Sequence, residues 1–212
     1  MKTRIWDLPL RTFHWLLVLT VLMSFITVKV GGNAMTWHAR FGYLVIGLMI
    51  FRLIWGFVGS YHARFGSFIK GPGAVVEYLK DPRPTPGHSP LGAVSVVVLI
   101  TLFTLQALAG LFSSDDIAFD GPFVKYVPSA WVESLTSLHR LNEPVLLGLI
   151  LIHVFAIAYY RIVKKQDLIR PMVTGDKNWA EKIPVARDDF SLRLTAAIIF
   201  GGIMGVLYYF LR

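Results

Sequence analysis

Five apolar stretches, each about as long as a lipid bilayer is thick, constrain this chain more than any other feature of its sequence. A transmembrane helix needs about 20 mostly apolar residues, and such stretches cover residues 9–28, 39–58, 91–112, 143–163 and 194–211. Hydrophobic residues make up 55% of the 212 positions and charged residues only 16%, which is unusual for a soluble domain. We therefore predict an all-α integral membrane protein.

The basic residues predict how the chain is inserted, because short loops rich in Lys and Arg stay in the cytoplasm. The N-terminus has three of these residues (Lys2, Arg4 and Arg11), four lie in the loop 59–90 and eight lie in the segment 161–193. The loop 113–142 has only Lys125 and Arg140, together with several acidic residues. We predict a multi-pass protein of the bacterial inner membrane, with a cytoplasmic N-terminus and a periplasmic C-terminus. Topology then explains the net charge of +8, and no polar domain is long enough to indicate nucleic-acid binding.

Local signals predict where some helices begin and end. Asp7 is a suitable N-cap, so the first helix is expected to begin ahead of the purely apolar run at Phe13. A cleaved signal peptide is the alternative for this segment, although the run is longer than a typical h-region. The Gly- and Pro-rich loop 59–90 predicts turns around one short helix near 73–80. A separate short helix at the membrane interface is expected near Ser129–Leu138.

The chain contains no cysteine, so a metal would have to be held by His, Met or carboxylate side chains. Four of the six histidines lie in or at the ends of apolar stretches, where an ionisable side chain is costly; they are His14, His38, His139 and His153. For any one of them, a neutral ring bonded to a backbone carbonyl is the alternative. His62 and His88 fall in the inner loop and are expected to be solvated, with proton exchange near a quinone pocket as the alternative for His88.

The spacing of the four histidines is more informative than any single one. His139 and His153 are 14 residues apart, which on a helix is about 21 Å of rise and leaves them about 40° apart on one face. The predicted topology pairs His38 with His139 at the outer level and His14 with His153 at the inner level. Two imidazoles facing each other within a bundle are typical axial ligands of haem b, whereas zinc needs three or four ligands at one depth. We therefore predict two noncovalent b haems.

Three arginines are candidates for contact with the haems. Arg52 follows His38 by 14 residues, within an apolar stretch where an unpaired guanidinium costs at least ~2.5 kcal/mol. A haem propionate at the inner level is the predicted partner, and snorkelling to the cytoplasmic surface is the alternative. Arg40 and Arg140 each adjoin an outer ligand candidate and are predicted to serve the outer haem in the same way.

Four separated motifs, in this order, resemble the prokaryotic cytochrome b561 family: IWDLPLRTFHWLLVL, HARFGYLVIGLMIFRLIWGFVGSYHARF, GHSPLG and LHRLNEPVLLGLILIHVFAIAYY. The resemblance extends over about residues 4–177 and includes MVTGDK at 172–177. That family is related to the b-type cytochrome subunits of nickel–iron hydrogenases and of formate dehydrogenase. It implies a four-helix transmembrane bundle holding two b haems, with ligands carried over onto the same four histidines. On this pattern residues 1–177 form the di-haem domain, and residues 178–212 are a cytoplasmic linker and an extra fifth transmembrane helix.

The resemblance also implies a function, namely electron transfer across the membrane between the quinone pool and a periplasmic partner such as a c-type cytochrome. Whether such a chain is a pure electron-transfer protein or a quinone-linked oxidoreductase stays open. One alternative is a superoxide:quinone oxidoreductase, favoured by basic residues near the outer haem and opposed by the acidic loop. Another is the membrane anchor of a larger dehydrogenase or hydrogenase. A haem-free channel would leave the histidines and Arg52 unexplained.

Small residues predict close approaches between helices. Gly201 and Gly205 form a G-x-x-x-G arrangement in the fifth stretch, which permits close helix crossing. The crossing partner is either a second copy of the chain, in a homo-oligomer, or the surface of the bundle itself. Other glycines are expected to let helices and porphyrin approach each other closely; they are Gly42, Gly47, Gly110 and Gly148.

Overall fold

A computed structural model of the chain describes residues 1–117 and 119–211. In chain order, the helices are α1 (Leu8–Val30), α2 (Met35–Val58), α3 (Phe65–Phe68), α4 (Pro72–Lys80), α5 (Pro90–Gly110), α6 (Ser129–Ile162), α7 (Ile169–Thr174) and α8 (Phe190–Phe210). Five of them, α1, α2, α5, α6 and α8, are long and apolar enough to cross a membrane. These five correspond to the five predicted stretches, and the short helix predicted near 73–80 is α4.

The first helix begins where its capping residue predicts. The backbone N–H of Leu10 donates a hydrogen bond of 2.7 Å to Oδ1 of Asp7, which satisfies one of the N–H groups left free at a helix start. Asp7 itself is 0% exposed. The helix therefore starts at Leu8, ahead of the apolar run, as predicted.

The separate interfacial helix predicted near Ser129–Leu138 is wrong, because α6 is one continuous helix of 34 residues. The only proline inside it is Pro144. A proline in a helix removes the hydrogen bond to the carbonyl four residues earlier, and membrane helices tolerate this loss where neighbouring groups compensate for it. One helix consequently carries both His139 and His153.

A two-stranded sheet joins the N-terminus to the segment after α7. Strand β1 (Lys2–Arg4) pairs antiparallel with β2 (Asp176–Asn178), with Thr3 opposite Lys177. Between α7 and β2, Gly175 has φ +88° and accepts hydrogen bonds from the N–H groups of Ile5 and Trp6 at 2.8 and 3.1 Å. A Cβ at Gly175 would lie 2.7 Å from the carbonyl oxygen of Trp6. The glycine of the MVTGDK motif is therefore required both by its backbone conformation and by this close approach.

The chain forms two compact units, each assembled from three segments. The first unit comprises Met1–His14, Arg52–Val98 and Leu151–Ile199, and the second comprises Trp15–Phe51, Leu99–Ile150 and Phe200–Arg212. His14 and His153 fall in the first unit, and His38 and His139 fall in the second. Each predicted histidine pair thus belongs to a single unit. The division of the chain at residues 177 and 178 stays a prediction.

In the second unit, α8 packs on α2 through a glycine of α2. A Cβ at Gly47 would lie 2.5 Å from Sδ of Met204, so this glycine permits the close contact. A Cβ at Gly201 or Gly205 would meet no atom of the described residues within 4 Å. The G-x-x-x-G motif therefore does not pack on the bundle itself, and that alternative is wrong; the contact is made instead by the neighbouring face of α8.

Candidate functional site

In the second unit, α2 and α6 bring His38 and His139 together. Their ring centroids are 6.1 Å apart and their planes are nearly perpendicular, at 89°. Metal–imidazole nitrogen bonds are about 2 Å long and the ring centroid lies about 1 Å behind the nitrogen, so two imidazoles on one metal atom have centroids roughly 6 Å apart. The observed separation fits a pair of axial ligands.

Both rings are held by backbone carbonyls. Nδ1 of His38 lies 2.9 Å from the carbonyl oxygen of Ser24, and Nδ1 of His139 lies 2.8 Å from the carbonyl oxygen of Gln106. A carbonyl oxygen can only accept, so Nδ1 of each ring carries the proton and Nε2 keeps its lone pair. This is the tautomer of a histidine that binds a metal through Nε2, and such a carbonyl contact is the usual second hydrogen bond of a metal ligand.

The two rings line a cavity of about 400 Å³ that is mostly apolar. Gly42, one turn after His38 on α2, also lines it, and a Cβ there would meet no described atom within 4 Å. A Cβ at Gly110 would instead lie 3.0 Å from Cε1 of His139. The cavity therefore has open space beside one histidine and a close backbone contact behind the other, which suits a large apolar ligand held between them.

Two polar residues that the sequence analysis missed support His139. The amide nitrogen of Gln106 donates to the carbonyl oxygen of His139 at 3.0 Å, and Asn142 donates to Oε1 of Gln106 at 2.9 Å and to the carbonyl oxygen of Leu102 at 3.0 Å. Asn142 is 7% exposed. A polar side chain within an apolar stretch indicates function. Gln106 lies within the stretch 91–112, so its role could have been predicted from the sequence.

The outer arginines differ in their surroundings. The guanidinium of Arg40 lies over the ring of Trp37, 4.8 Å from its centroid, whereas Arg140 lines the cavity with the two histidines. Both are exposed, and their contact with a haem stays a prediction. Of the other basic residues expected to attract superoxide, Lys29 is paired with Glu143 at 2.9 Å, which reduces its attraction for an anion.

In the first unit, α1 and α6 bring His14 close enough to His153 for their charges to interact. Both residues are partly buried. Among residues 1–117 and 119–211, no group of three or more His, Asp or Glu side chains is arranged to hold a metal ion.

Arg52 lies in the same unit, on α2, and is 2% exposed. Its guanidinium carbon is 4.7 Å from the ring centroid of Phe65. Nη1 and Nη2 are buried and have no hydrogen-bond acceptor within the described parts of the chain. The alternative that Arg52 extends to the cytoplasmic surface is therefore wrong, because its side chain is buried and packs on Phe65.

The nearby carboxylate of Asp7 is occupied by other donors. Besides the N–H of Leu10, it accepts hydrogen bonds from Nε1 of Trp55, at 3.2 and 3.3 Å from its two oxygens, and from the hydroxyl of Ser60. Its charge acts on Arg52 without a hydrogen bond to Nη1 or Nη2. The positive charge of the Arg52 guanidinium is thus only partly balanced by Asp7.

The prediction that His62 and His88 are solvated is wrong. His62 is 6% exposed and its Nε2 lies 2.8 Å from the carbonyl oxygen of Pro184. Part of His88 reaches the surface, but its ring lies between Trp6 and Phe68, with centroids 4.7 and 4.3 Å away, and its Nδ1 is buried. Burial lowers the pKa of His62 and lowers that of His88 to about 3. His62 is buried and His88 is mostly enclosed because residues distant in sequence, Pro184 and Trp6, fold against the loop.

Five membrane-crossing helices, together with paired and partly buried histidines, define a multi-pass membrane protein of the b-type cytochrome class. The chain matches the family described as prokaryotic cytochrome b561 over residues 5–175 and belongs to that family. This confirms the resemblance and implies a haem b cofactor. No solved structure is significantly similar to the chain.

Curated relatives cover most of the chain. A probable Ni/Fe-hydrogenase B-type cytochrome subunit of Rhizobium leguminosarum bv. viciae is 22% identical over 84% of this chain and 90% of the relative. Proteins with the same description from Azotobacter chroococcum and Azotobacter vinelandii are 26% and 25% identical, each over 85% of this chain and 90% of the relative. The chain is therefore similar to these subunits along nearly their whole length.

Proposed function

We propose that this protein is a di-haem b-type cytochrome that transfers electrons between membrane quinone and a redox partner at the periplasmic face. His38 and His139 ligate one haem, and His14 and His153 ligate the other. The observation that carries the proposal is the first pair, whose centroid separation is 6.1 Å and whose Nδ1 atoms are both held by backbone carbonyls. A carbonyl contact at one histidine also fits the alternative of a neutral structural ring, but two such rings that face each other at this separation across one apolar cavity favour a pair of ligands.

A bound b haem supplies reversible one-electron chemistry. The carbonyls of Ser24 and Gln106 keep the proton on Nδ1 of each outer ligand and thereby increase the basicity of Nε2. The apolar lining of the cavity excludes water, and this burial influences the haem potential. In the first unit, the charge of Arg52 favours anionic groups on its cofactor.

The route of the electrons follows from the spacing on α6. His139 and His153 are separated by about 21 Å of helical rise, which places the two haems at different depths of the membrane. With the N-terminus in the cytoplasm, the haem of His14 and His153 lies on the cytoplasmic side and that of His38 and His139 on the periplasmic side. With a haem held by each histidine pair, electrons would cross the membrane from one pair to the other.

Haem stoichiometry tests the ligand assignment. The purified protein is expected to contain two b haems per chain with bis-histidine spectra, and alanine at any one of the four ligand positions is expected to remove one haem. His62→Ala is the matched control, since His62 is also a buried histidine but is bonded to Pro184. Two haems retained in His38→Ala and His139→Ala would contradict the assignment.

A second candidate for the partner is a Ni/Fe hydrogenase, because the named relatives are described as probable B-type cytochrome subunits of that enzyme. In that case the chain is the membrane subunit that delivers electrons from the hydrogenase to quinone. Purification from native membranes in mild detergent is expected to recover a nickel-containing subunit together with the haem protein. Recovery of the haem protein alone would favour the diffusible partner instead.

The acidic loop between α5 and α6 favours a basic partner such as a c-type cytochrome. It carries Asp115, Asp116 and Asp120, and such charges raise association rates with a partner of opposite charge. Stopped-flow reduction of a basic c-type cytochrome is expected to slow as ionic strength rises. Replacing the three aspartates with asparagine should abolish this dependence, and a rate unaffected by salt would contradict this partner class.

A further inference from the structure

Several buried side-chain nitrogen atoms of the first unit have no hydrogen-bond partner among the described residues. Three of them belong to only two side chains, namely Nη1 and Nη2 of Arg52 and Nδ1 of His88. The two side chains pack on the same aromatic pair of α3, since Arg52 lies over Phe65, His88 lies over Phe68, and the Phe65 and Phe68 rings are 5.9 Å apart. These unsatisfied groups therefore lie against one aromatic cluster, and the charge of Arg52 acts on His88.

The positive charge in this cluster is that of Arg52. Burial is the main cause of the lowered pKa of His88. The charge of Arg52 is the second cause, and His62 and His14 contribute less. The carboxylate that acts on Arg52 is Asp7, whose oxygens are taken by Leu10, Trp55 and Ser60. A buried cation with unsatisfied donors is stable only when an anion completes the site.

The shape of the donor set indicates the class of anion. A guanidinium offers two parallel N–H groups that match the two oxygens of a carboxylate, and Nδ1 of a neutral imidazole can add a third donor. The influence of His14 on His88 places the cluster beside a histidine that we assign as a haem ligand. Haem itself carries two carboxylates, so no additional ligand is needed.

We infer that Arg52 and His88 together bind one propionate of the haem held by His14 and His153. This inference rests on the proposed function, and it assigns His88 as a residue that binds the cofactor. The propionate accepts from Nη1 and Nη2 of Arg52 and from Nδ1 of His88. The ring of His88 is held in place by Trp6 and Phe68.

The test is a redox titration of both haems in the full-length protein. Arg52→Gln removes a positive charge beside the propionate, and His88→Phe removes the Nδ1 donor while keeping an aromatic ring between Trp6 and Phe68. Each variant leaves the negative propionate less compensated, so the midpoint potential of one haem should fall while the other is unchanged. For Arg52→Gln we expect about a tenfold change in the ratio of reduced to oxidised haem, which is 59 mV for one electron. His88→Phe should give a smaller change in the same direction.

Two further variants make the test specific. His62→Phe is the control, because His62 is also buried and also contacts Trp6, with ring centroids 6.4 Å apart, but it is bonded to Pro184; it should leave both potentials unchanged. His88→Gln keeps an N–H donor and should restore most of the potential lost in His88→Phe. The vibrational band of the haem propionates should shift in Arg52→Gln and His88→Phe only.

The outcomes separate this inference from the proposed function. If His14→Ala keeps both haems, the ligand assignment fails and the inference fails with it. If His14→Ala loses one haem but Arg52→Gln and His88→Phe leave both potentials unchanged, only the inference is overturned. Equal shifts of both haems, or the same shift in His62→Phe, would also overturn it. Loss of one haem in Arg52→Gln, but not in His62→Phe, would support it.

Discussion

Gly110 controls the position of His139 by having no side chain. It is the last residue of α5, and a Cβ there would lie 3.0 Å from Cε1 and 3.3 Å from Nδ1 of His139. The carbonyl of Gln106, one turn earlier on the same helix, holds Nδ1 at 2.8 Å. One turn of α5 thus fixes the ring both by contact and by a hydrogen bond.

A substitution at Gly110 is therefore expected to affect the haem directly. In Gly110→Ala the new methyl group pushes the imidazole away from the Gln106 carbonyl, and we expect loss of one haem or a change in the low-spin spectrum of one haem. Gly202→Ala on α8 is the control, because a Cβ there meets no described atom within 4 Å and α8 carries none of the proposed haem ligands. Haem absorbance and electron paramagnetic resonance of the two variants check this. Identical haem spectra in both would contradict the role of Gly110.

The hydrogen bond between Gln106 and Asn142 gives a second prediction for single residues. Asn142→Leu removes the donor to Oε1 of Gln106 and leaves that partly buried oxygen without it, which costs up to about 1–3 kcal/mol. We expect lower thermal stability and a shifted potential for the haem of His38 and His139 only. Asn178→Leu, at an exposed asparagine in β2, is the control. An unchanged haem potential in Asn142→Leu would contradict an influence of the Asn142–Gln106 hydrogen bond on the haem.

Among the elements, Asp188 joins the beginnings of α1 and α8 to the end of β1. Its side chain is 6% exposed and accepts hydrogen bonds from the N–H of Leu8 at 3.0 Å, from Nε of Arg193 at 3.0 Å and from Arg4. Burial raises the pKa of Asp188, but the hydrogen bonds and the charges of Arg193 and Arg4 outweigh it and lower the pKa below 3.8. The segment before the fifth membrane helix is thereby tied to the N-terminus.

A carboxylate with a lowered folded pKa stabilises the fold above its ordinary pKa and loses that contribution as the pH falls through the folded value. We therefore expect the unfolding temperature of the wild-type protein to fall as the pH decreases below about 4. Asp188→Asn should lower stability by about 2 kcal/mol at pH 7 and reduce this acid dependence. Asp81→Asn is the control, since Asp81 pairs with Arg83 on the surface. Equal acid sensitivity in Asp188→Asn and the wild type would contradict this role.

At the scale of the whole molecule, the number of membrane-crossing helices determines where the termini lie. Five such helices are present among the described residues, and an odd number places the two termini on opposite sides of the membrane. The excess of basic residues in 59–90 and 161–193 favours the cytoplasm for these segments. Together these features predict a periplasmic C-terminus.

Reporter fusions test this topology. Alkaline phosphatase fused after the C-terminus is expected to be active, because it folds only in the periplasm, and a fusion within 59–90 is expected to be inactive. A cytoplasmic fluorescent reporter at the same two positions should give the opposite pattern. Fluorescence from the C-terminal fusion would contradict the predicted insertion.

Much of this protein can be predicted from sequence because the governing rules are local. Each membrane helix is visible as an apolar run, the start of α1 is visible in Asp7, and the 14-residue spacing of His139 and His153 identifies two residues on one helical face. The pairing of His38 with His139 also follows, since membrane topology leaves few arrangements. The structure brings these two rings to 6.1 Å.

Other features depend on contacts between segments far apart in the chain, and only the tertiary structure decides them. The burial of His62 requires the carbonyl of Pro184, 122 residues away, and the enclosure of Arg52 requires Phe65 of a four-residue helix. Sequence determines which residues enter the membrane and which share a helical face, because hydropathy and helical periodicity act over a few turns. Packing between helices and loops determines which polar groups are satisfied and which remain available to a cofactor, because that depends on distances no local pattern encodes.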